Sequence, residues 1–172
     1  MPTGQLESAV VVATVLPPAL ERIRRHNTYA AAHGIPAHVT VLYPFLPADL
    51  LKPAIRDALA RIAAAEHRFA VRFARVERWP EVVWLAPEPP APFARLIEAT
   101  CAAFPDYPPY GGTVPEPIAH LSIAEGASFD ANAVSAAANP YLPFERAISA
   151  LTVITEQPDG MWRVRWRLPL RP

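Results

Sequence analysis

The chain has 172 residues, 52% of them hydrophobic, enough to fill one core or two small lobes sharing a core and too few for two independent domains. Its 16 basic and 16 acidic residues cancel. That excludes the strong positive field of a protein that grips long duplexes through many phosphates, and favours a small ligand or a nucleic-acid end.

The longest apolar stretch near the start, Ala9 to Leu16, is too short for a membrane span and has no basic residues ahead of it. No membrane segment or signal peptide is expected, and the expected location is the cytoplasm. Cys101 is the only cysteine, which excludes an internal disulfide framework and reads as a buried thiol. Lys52 is the only lysine and opens an ordinary amphipathic helix, and no glycine-rich loop of the G-x-x-x-x-G-K-[ST] type occurs. ATP-driven ligation by lysyl-adenylate or P-loop chemistry is therefore not expected.

In chain order, Ser8 to Leu16 is a β-rich run, which Pro17 and Pro18 close while opening a helix through Leu20 and Ile23 toward Gly34. The segment IPAHVTVLYPF reads as a strand. Asp49 is placed to cap the next helix, whose Leu51, Ile55, Leu59 and Ile62 recur at helical spacing. Phe69, Val71 and Phe73 alternate as a strand does.

The pattern then restarts. Glu81 to Ala86 is a strand, Pro89 and Pro90 open a helix carrying Phe93, Leu96, Ile97 and Phe104, and PIAHLSIAEG is a strand. Asp130 caps a short alanine-rich helix that stops near Pro140. The segment from Arg146 to Thr155 reads as one strand that turns through Pro158, Asp159 and Gly160 into a last one.

Both halves thus run strand, Pro-Pro, helix, His-containing strand, helix, strand, and PPALERI near residue 17 resembles PPAPFARLI near residue 89. An internal duplication explains this. The expected fold is α+β: a single bilobal, pseudo-twofold domain over residues 1–172, with intertwined lobes of approximately 1–80 and 81–172. Antiparallel sheets line a central cleft and helices pack outside. The second half carries an insertion, PDYPPYGG, read either as a lid with Gly111 and Gly112 at its flexible end or as a plain surface loop.

The pattern His-x-[ST] occurs three times. His26 with Thr28 lies in a helical stretch, where residues two apart point to nearly opposite sides, so that pair is a decoy. In a strand, residues i and i+2 share a face. His38 with Thr40 and His120 with Ser122 therefore each offer an imidazole and a hydroxyl on one face, while Val39, Val41, Leu121 and Ile123 point into the hydrophobic layer. A pseudo-twofold axis brings the two faces together. Two such imidazoles can divide the labour, a neutral one accepting a proton and a charged one donating one, while the hydroxyls can donate to the non-bridging oxygens of a phosphate held between them. No metal or other cofactor is implied, because neither histidine has the neighbouring ligands that zinc sites show.

HVTVLYPF and HLSIAEG resemble the paired HxTx and HxSx signatures of the 2H phosphoesterases, and of the branch called 2′-5′ RNA ligase family proteins. The strand and helix order matches over nearly the whole chain. The resemblance implies a bilobal fold with a central cleft, His38, Thr40, His120 and Ser122 as the catalytic quartet, and metal-free action on 2′,3′-cyclic or 2′-linked phosphodiesters of RNA ends and nucleotides. Hydrolysis is the activity it implies more often than ligation. Ala119 departs from the proline that often precedes the second histidine, which bears on loop rigidity more than on chemistry.

The last strand alternates Trp162, Val164, Trp166 and Leu168 with Arg163, Arg165 and Arg167. Arg163 or Arg165 is a candidate anchor for a substrate phosphate, the alternative being a solvated outer face. Trp84 and Tyr110 are candidates to stack on a base, the alternatives being core and loop packing. The expected partner is a nucleotide or RNA end, with no membrane and no stable protein partner. A binding module without turnover and a reversible RNA ligase are the alternative functions.

Overall fold

The computed structural model describes residues 4–172. Its strands are β1 (Ser8–Ala13), β2 (His38–Leu42), β3 (Phe69–Trp79), β4 (Val82–Glu88), β5 (Leu121–Glu125), β6 (Phe144–Ile148), β7 (Ala150–Glu156) and β8 (Trp162–Pro169). Its helices are α1 (Pro18–Asn27), α2 (Tyr29–Ala32), α3 (Pro53–Ala65), α4 (Ala91–Ala103) and α5 (Ala131–Ala138). Two four-stranded antiparallel sheets result, in the orders β2-β1-β7-β8 and β5-β4-β3-β6. This is the duplicated, bilobal α+β architecture expected from the sequence.

The two halves exchange strands. β1 and β2 are joined in the first sheet by β7 and β8 from the end of the chain, while β3 leaves the first half to pair with β4 in the second sheet. The helices cross in the same sense: α1 follows β1 but packs on β5, and α4 follows β4 but packs on β2. One hydrophobic cluster consequently runs through both sheets, with Val10, Val12 and Val39 from the first, Leu85, Leu121 and Ile123 from the second, and Leu20 and Phe93 from α1 and α4. Phe93 is fully buried, and truncating such a ring to alanine typically costs about 3–5 kcal/mol.

Four local expectations are corrected. The first helix breaks at Thr28, which is extended (φ −131°, ψ 139°) and whose hydroxyl donates to the Arg24 carbonyl at 2.9 Å and accepts from the Ala31 amide at 3.2 Å. Such local side-chain bonds compete with a continuous helix. Asp49 caps nothing: it sits in a 3₁₀ turn, and α3 starts at Pro53, whose fixed φ and missing N–H suit a first helical position.

The segment from Arg146 to Thr155 is two strands in different sheets, β6 beside β3 and β7 beside β1, with the crossing at Ser149. Finally, β8 does not keep one apolar face. Val153 pairs with Trp166 and Ile154 with Val164, so Arg165 is an extra, bulged residue and the alternation reverses across it. Leu168 joins the main core, whereas Trp162 packs on the opposite face with Ala9, Val11 and Ile154.

Candidate active site

β2 and β5 are the equivalent edge strands of the two sheets and pack against each other. On β2, Thr40 pairs with Val11 and His38 with Ala13; on β5, Ser122 pairs with Trp84. The buried neighbours Val39, Val41, Leu121 and Ile123 face the core, as alternation requires. His38, Thr40, His120 and Ser122 all line one cavity of about 610 Å³ between the lobes. The other His-x-hydroxyl pair stays away from it: His26 lines a separate surface pocket beside Tyr141.

The two imidazoles are held in the same way. Nδ1 of His38 donates to the Pro36 carbonyl at 2.8 Å, and Nδ1 of His120 donates to the Ile118 carbonyl at 2.7 Å. A carbonyl only accepts, so in each ring the proton sits on Nδ1 and Nε2 is left with a free lone pair when the ring is neutral. Burial lowers the His38 pKa to about 4; the Pro36 carbonyl opposes this, and the positive charges of Arg24 and His120 add to it. Burial also lowers His120, against the pull of the Ile118 carbonyl and the Glu125 carboxylate. Arg24 is itself buried, donating to Glu21 at 2.9 Å and to the Ile35 carbonyl at 3.0 Å.

Around His120 the wall is aromatic. Trp79 meets the imidazole edge-on with centroids 4.7 Å apart, and Trp84 does so at 5.9 Å. Trp84 is buried and does not line the cavity, so it backs His120 instead of presenting a face for stacking. Tyr110 does line the cavity. Its amide donates to the Tyr43 carbonyl at 2.7 Å, so the inserted loop is fastened across the end of β2. Burial raises the Tyr110 phenol pKa, with the neighbouring Thr40 hydroxyl opposing.

Arg163 and Arg165 are placed elsewhere. Arg163 is exposed and paired with Asp159 at 3.0 Å, and the Arg165 guanidinium lies over the Trp166 ring at 5.6 Å. The bulge that turns Trp162 toward the cavity breaks the arginine stripe, and among the described residues no lysine or arginine lines the cleft.

Sequence reasoning missed Tyr43 and Glu125, both of which line the cavity. Each stands three residues beyond its hydroxyl, so strict alternation assigns it to the core face. In both strands a bulge intervenes, at Val41 (Val10 pairs with Leu42, Val11 with Thr40) and at Ile123 (Val83 pairs with Ala124, Trp84 with Ser122). The duplicated motifs therefore share their bulge as well as their His and hydroxyl. Glu7, Glu156 and Trp162 complete the far end of the cleft, where the Tyr43 hydroxyl donates to Glu7 Oε2 at 2.7 Å and the Glu7 amide donates to Glu156 Oε2 at 3.2 Å.

The family model of the 2′-5′ RNA ligase superfamily matches residues 12–160. The chain belongs to that superfamily. Solved structures of its fold include TT0787 of Thermus thermophilus, with 18% identity over 96% of this chain and 98% of that one and a TM-score of 0.60. Escherichia coli LigT complexed with 3′-AMP matches with 17% identity over 97% and 99% of the chains and a TM-score of 0.57. The same protein complexed with NADP⁺ gives 17% identity over 99% and 100% and a TM-score of 0.53. No functionally curated protein matches the sequence. Among the described residues, no helix of this superfamily member is long and apolar enough to cross a membrane.

Proposed function

We propose that the protein is a phosphodiesterase that opens a 2′,3′-cyclic or 2′-linked phosphodiester of a nucleotide or RNA end by two-histidine acid and base catalysis. The observation that carries this reading is the matched pose of His38 and His120, each tethered through Nδ1 to the carbonyl two residues earlier, each beside a hydroxyl, in one cavity. The nucleotides held by E. coli LigT, 3′-AMP and NADP⁺, make a nucleotide the first ligand to test.

His38, held neutral at physiological pH by burial, acts as base; His120, whose charged form the neighbouring Glu125 carboxylate favours against burial, is the acid. His38 Nε2 takes a proton from water as its oxygen forms a bond to phosphorus. The bond from phosphorus to one ribose oxygen breaks, and that oxygen takes the proton from Nε2 of His120. Thr40 and Ser122 donate to the non-bridging oxygens, where charge is stabilised in the transition state. The product is a phosphomonoester, and the scheme uses no metal.

The test is turnover of nucleoside 2′,3′-cyclic phosphates with EDTA present, following which phosphomonoester forms. His38→Ala and His120→Ala are each expected to lose about 10²–10⁴ in rate. Turnover intact in the double variant would overturn the reading, and a 2′-phosphate product would show that the 3′ oxygen leaves. Retained affinity with no turnover in the wild type would instead identify a binding module.

A further inference from the structure

The cleft carries carboxylates from both lobes and, among the described residues, no lysine or arginine. Glu156 ends β7 of the first sheet, Glu7 lies just ahead of β1, Glu125 ends β5 of the second sheet, and all three line the cavity. Among the described residues none of the three enters an ion pair. Arg24, whose charge reaches His38, is buried and committed to Glu21 and the Ile35 carbonyl. Proteins that hold a polynucleotide track its phosphates with lysine and arginine, and a cleft of one sign repels ligands of the same sign.

The dimensions sharpen this. Val11, opposite Thr40, and Glu7 are four residues apart on one run of chain, about 13 Å at roughly 3.3 Å per residue. A single nucleoside spans that distance. Its phosphate would sit at the quartet, its body against Tyr43, Tyr110 and Trp162, and its far edge near Glu7 and Glu156, which accept hydrogen bonds from amino groups. The next phosphate of a longer chain would approach one of the carboxylates.

We infer that the site selects a compact, mononucleotide-sized phosphodiester with one phosphate and an amino-bearing body, and disfavours the end of a polynucleotide. This rests on reading the quartet as the phosphate end and goes beyond it by naming the substrate's size and charge.

The experiment is a binding titration with adenosine 2′-monophosphate and with a decaribonucleotide ending in a 2′-phosphate, at low and high sodium chloride. The mononucleotide is expected to bind at least about tenfold tighter at low salt. The oligonucleotide's affinity is expected to hold or rise with salt, because screening relieves repulsion; phosphate-tracking proteins show the opposite sign. Glu125→Gln, and separately the double change Glu7→Gln with Glu156→Gln, are expected to raise oligonucleotide affinity by roughly threefold or more at low salt. An oligonucleotide that binds as tightly as the mononucleotide, or whose affinity falls with salt, would overturn the inference, as would a mononucleotide that does not bind. Turnover is read separately: this order of binding without turnover would sink the phosphodiesterase reading and leave the selectivity standing.

Discussion

The amide of Tyr110 donates to the carbonyl of Tyr43 at 2.7 Å, so a residue of the inserted loop is fixed to the end of the strand that carries His38 and Thr40. Tyr110 holds a left-handed backbone (φ 51°) to do this. Tyr110→Phe keeps the backbone bond and removes only the phenol that faces Thr40. We expect kcat/KM for a nucleoside 2′,3′-cyclic phosphate to fall by about 3–10-fold, the worth of one hydrogen bond. Tyr110→Ala, which also opens the cavity wall, should fall further and mainly through KM. An unchanged KM in the alanine variant would show that the loop takes no part in binding.

Burial is the largest influence on each histidine, and neighbouring charges should move the pH profile around it. Arg24 lowers the His38 pKa, so Arg24→Met should raise it and move the acid limb of kcat/KM to higher pH. Glu125 raises the His120 pKa, so Glu125→Gln should lower it and move the alkaline limb to lower pH. If the two substitutions move the opposite limbs, the acid and base roles are reversed.

Stability should depend on pH through His38. Its folded pKa of about 4 lies below the ordinary 6.5, so the unfolded chain binds the extra proton between those values and stability is lost as pH falls from 6.5 toward 4. The loss at pH near 4.5 is on the order of 2 kcal/mol. Urea melts of the wild type at neutral and acidic pH should show it, and His38→Asn, which does not titrate, should show less. Parallel curves for the two proteins would remove His38 as the source.

Gly34 links α2 to the histidine strand with φ 80°, and a Cβ there would meet the Trp162 carbonyl oxygen at 3.2 Å. The same turn is closed by the Trp162 amide donating to the His33 carbonyl at 2.7 Å. Gly34→Ala is expected to cost about 1–2 kcal/mol from the left-handed backbone alone, and more if that oxygen cannot retreat. Thermal melts at neutral pH check this, and a melting temperature at or above the wild type's would refute it.

What could be read in advance follows from where local pattern and global constraint agree. The two histidine strands were legible because a period of two, hydrophobic neighbours and a repeated order of elements all pointed to one face and one cleft. Bulges at Val41, Ile123 and Arg165 were not legible, since an inserted residue leaves composition unchanged while reversing every later side chain. Tyr43, Glu125 and Trp162 were hidden for that reason, and Arg163 and Arg165 looked like one stripe with Arg167. The crossing at Ser149 did leave a trace. Main-core residues step from Phe144 and Ile148 to Leu151 and Val153, a change of phase that marks the end of one strand and the start of another.

The exchange of β3 and β7 between the sheets has a consequence for folding: neither half completes a sheet from its own strands. A lone half, ending in a strand that cannot fold back beside its own β1, would leave that strand without a sheet and its partner strands with an open edge. The two halves of the chain satisfy both by trading strands. The cleft, with one histidine from each half, therefore forms only when the whole chain folds as a unit.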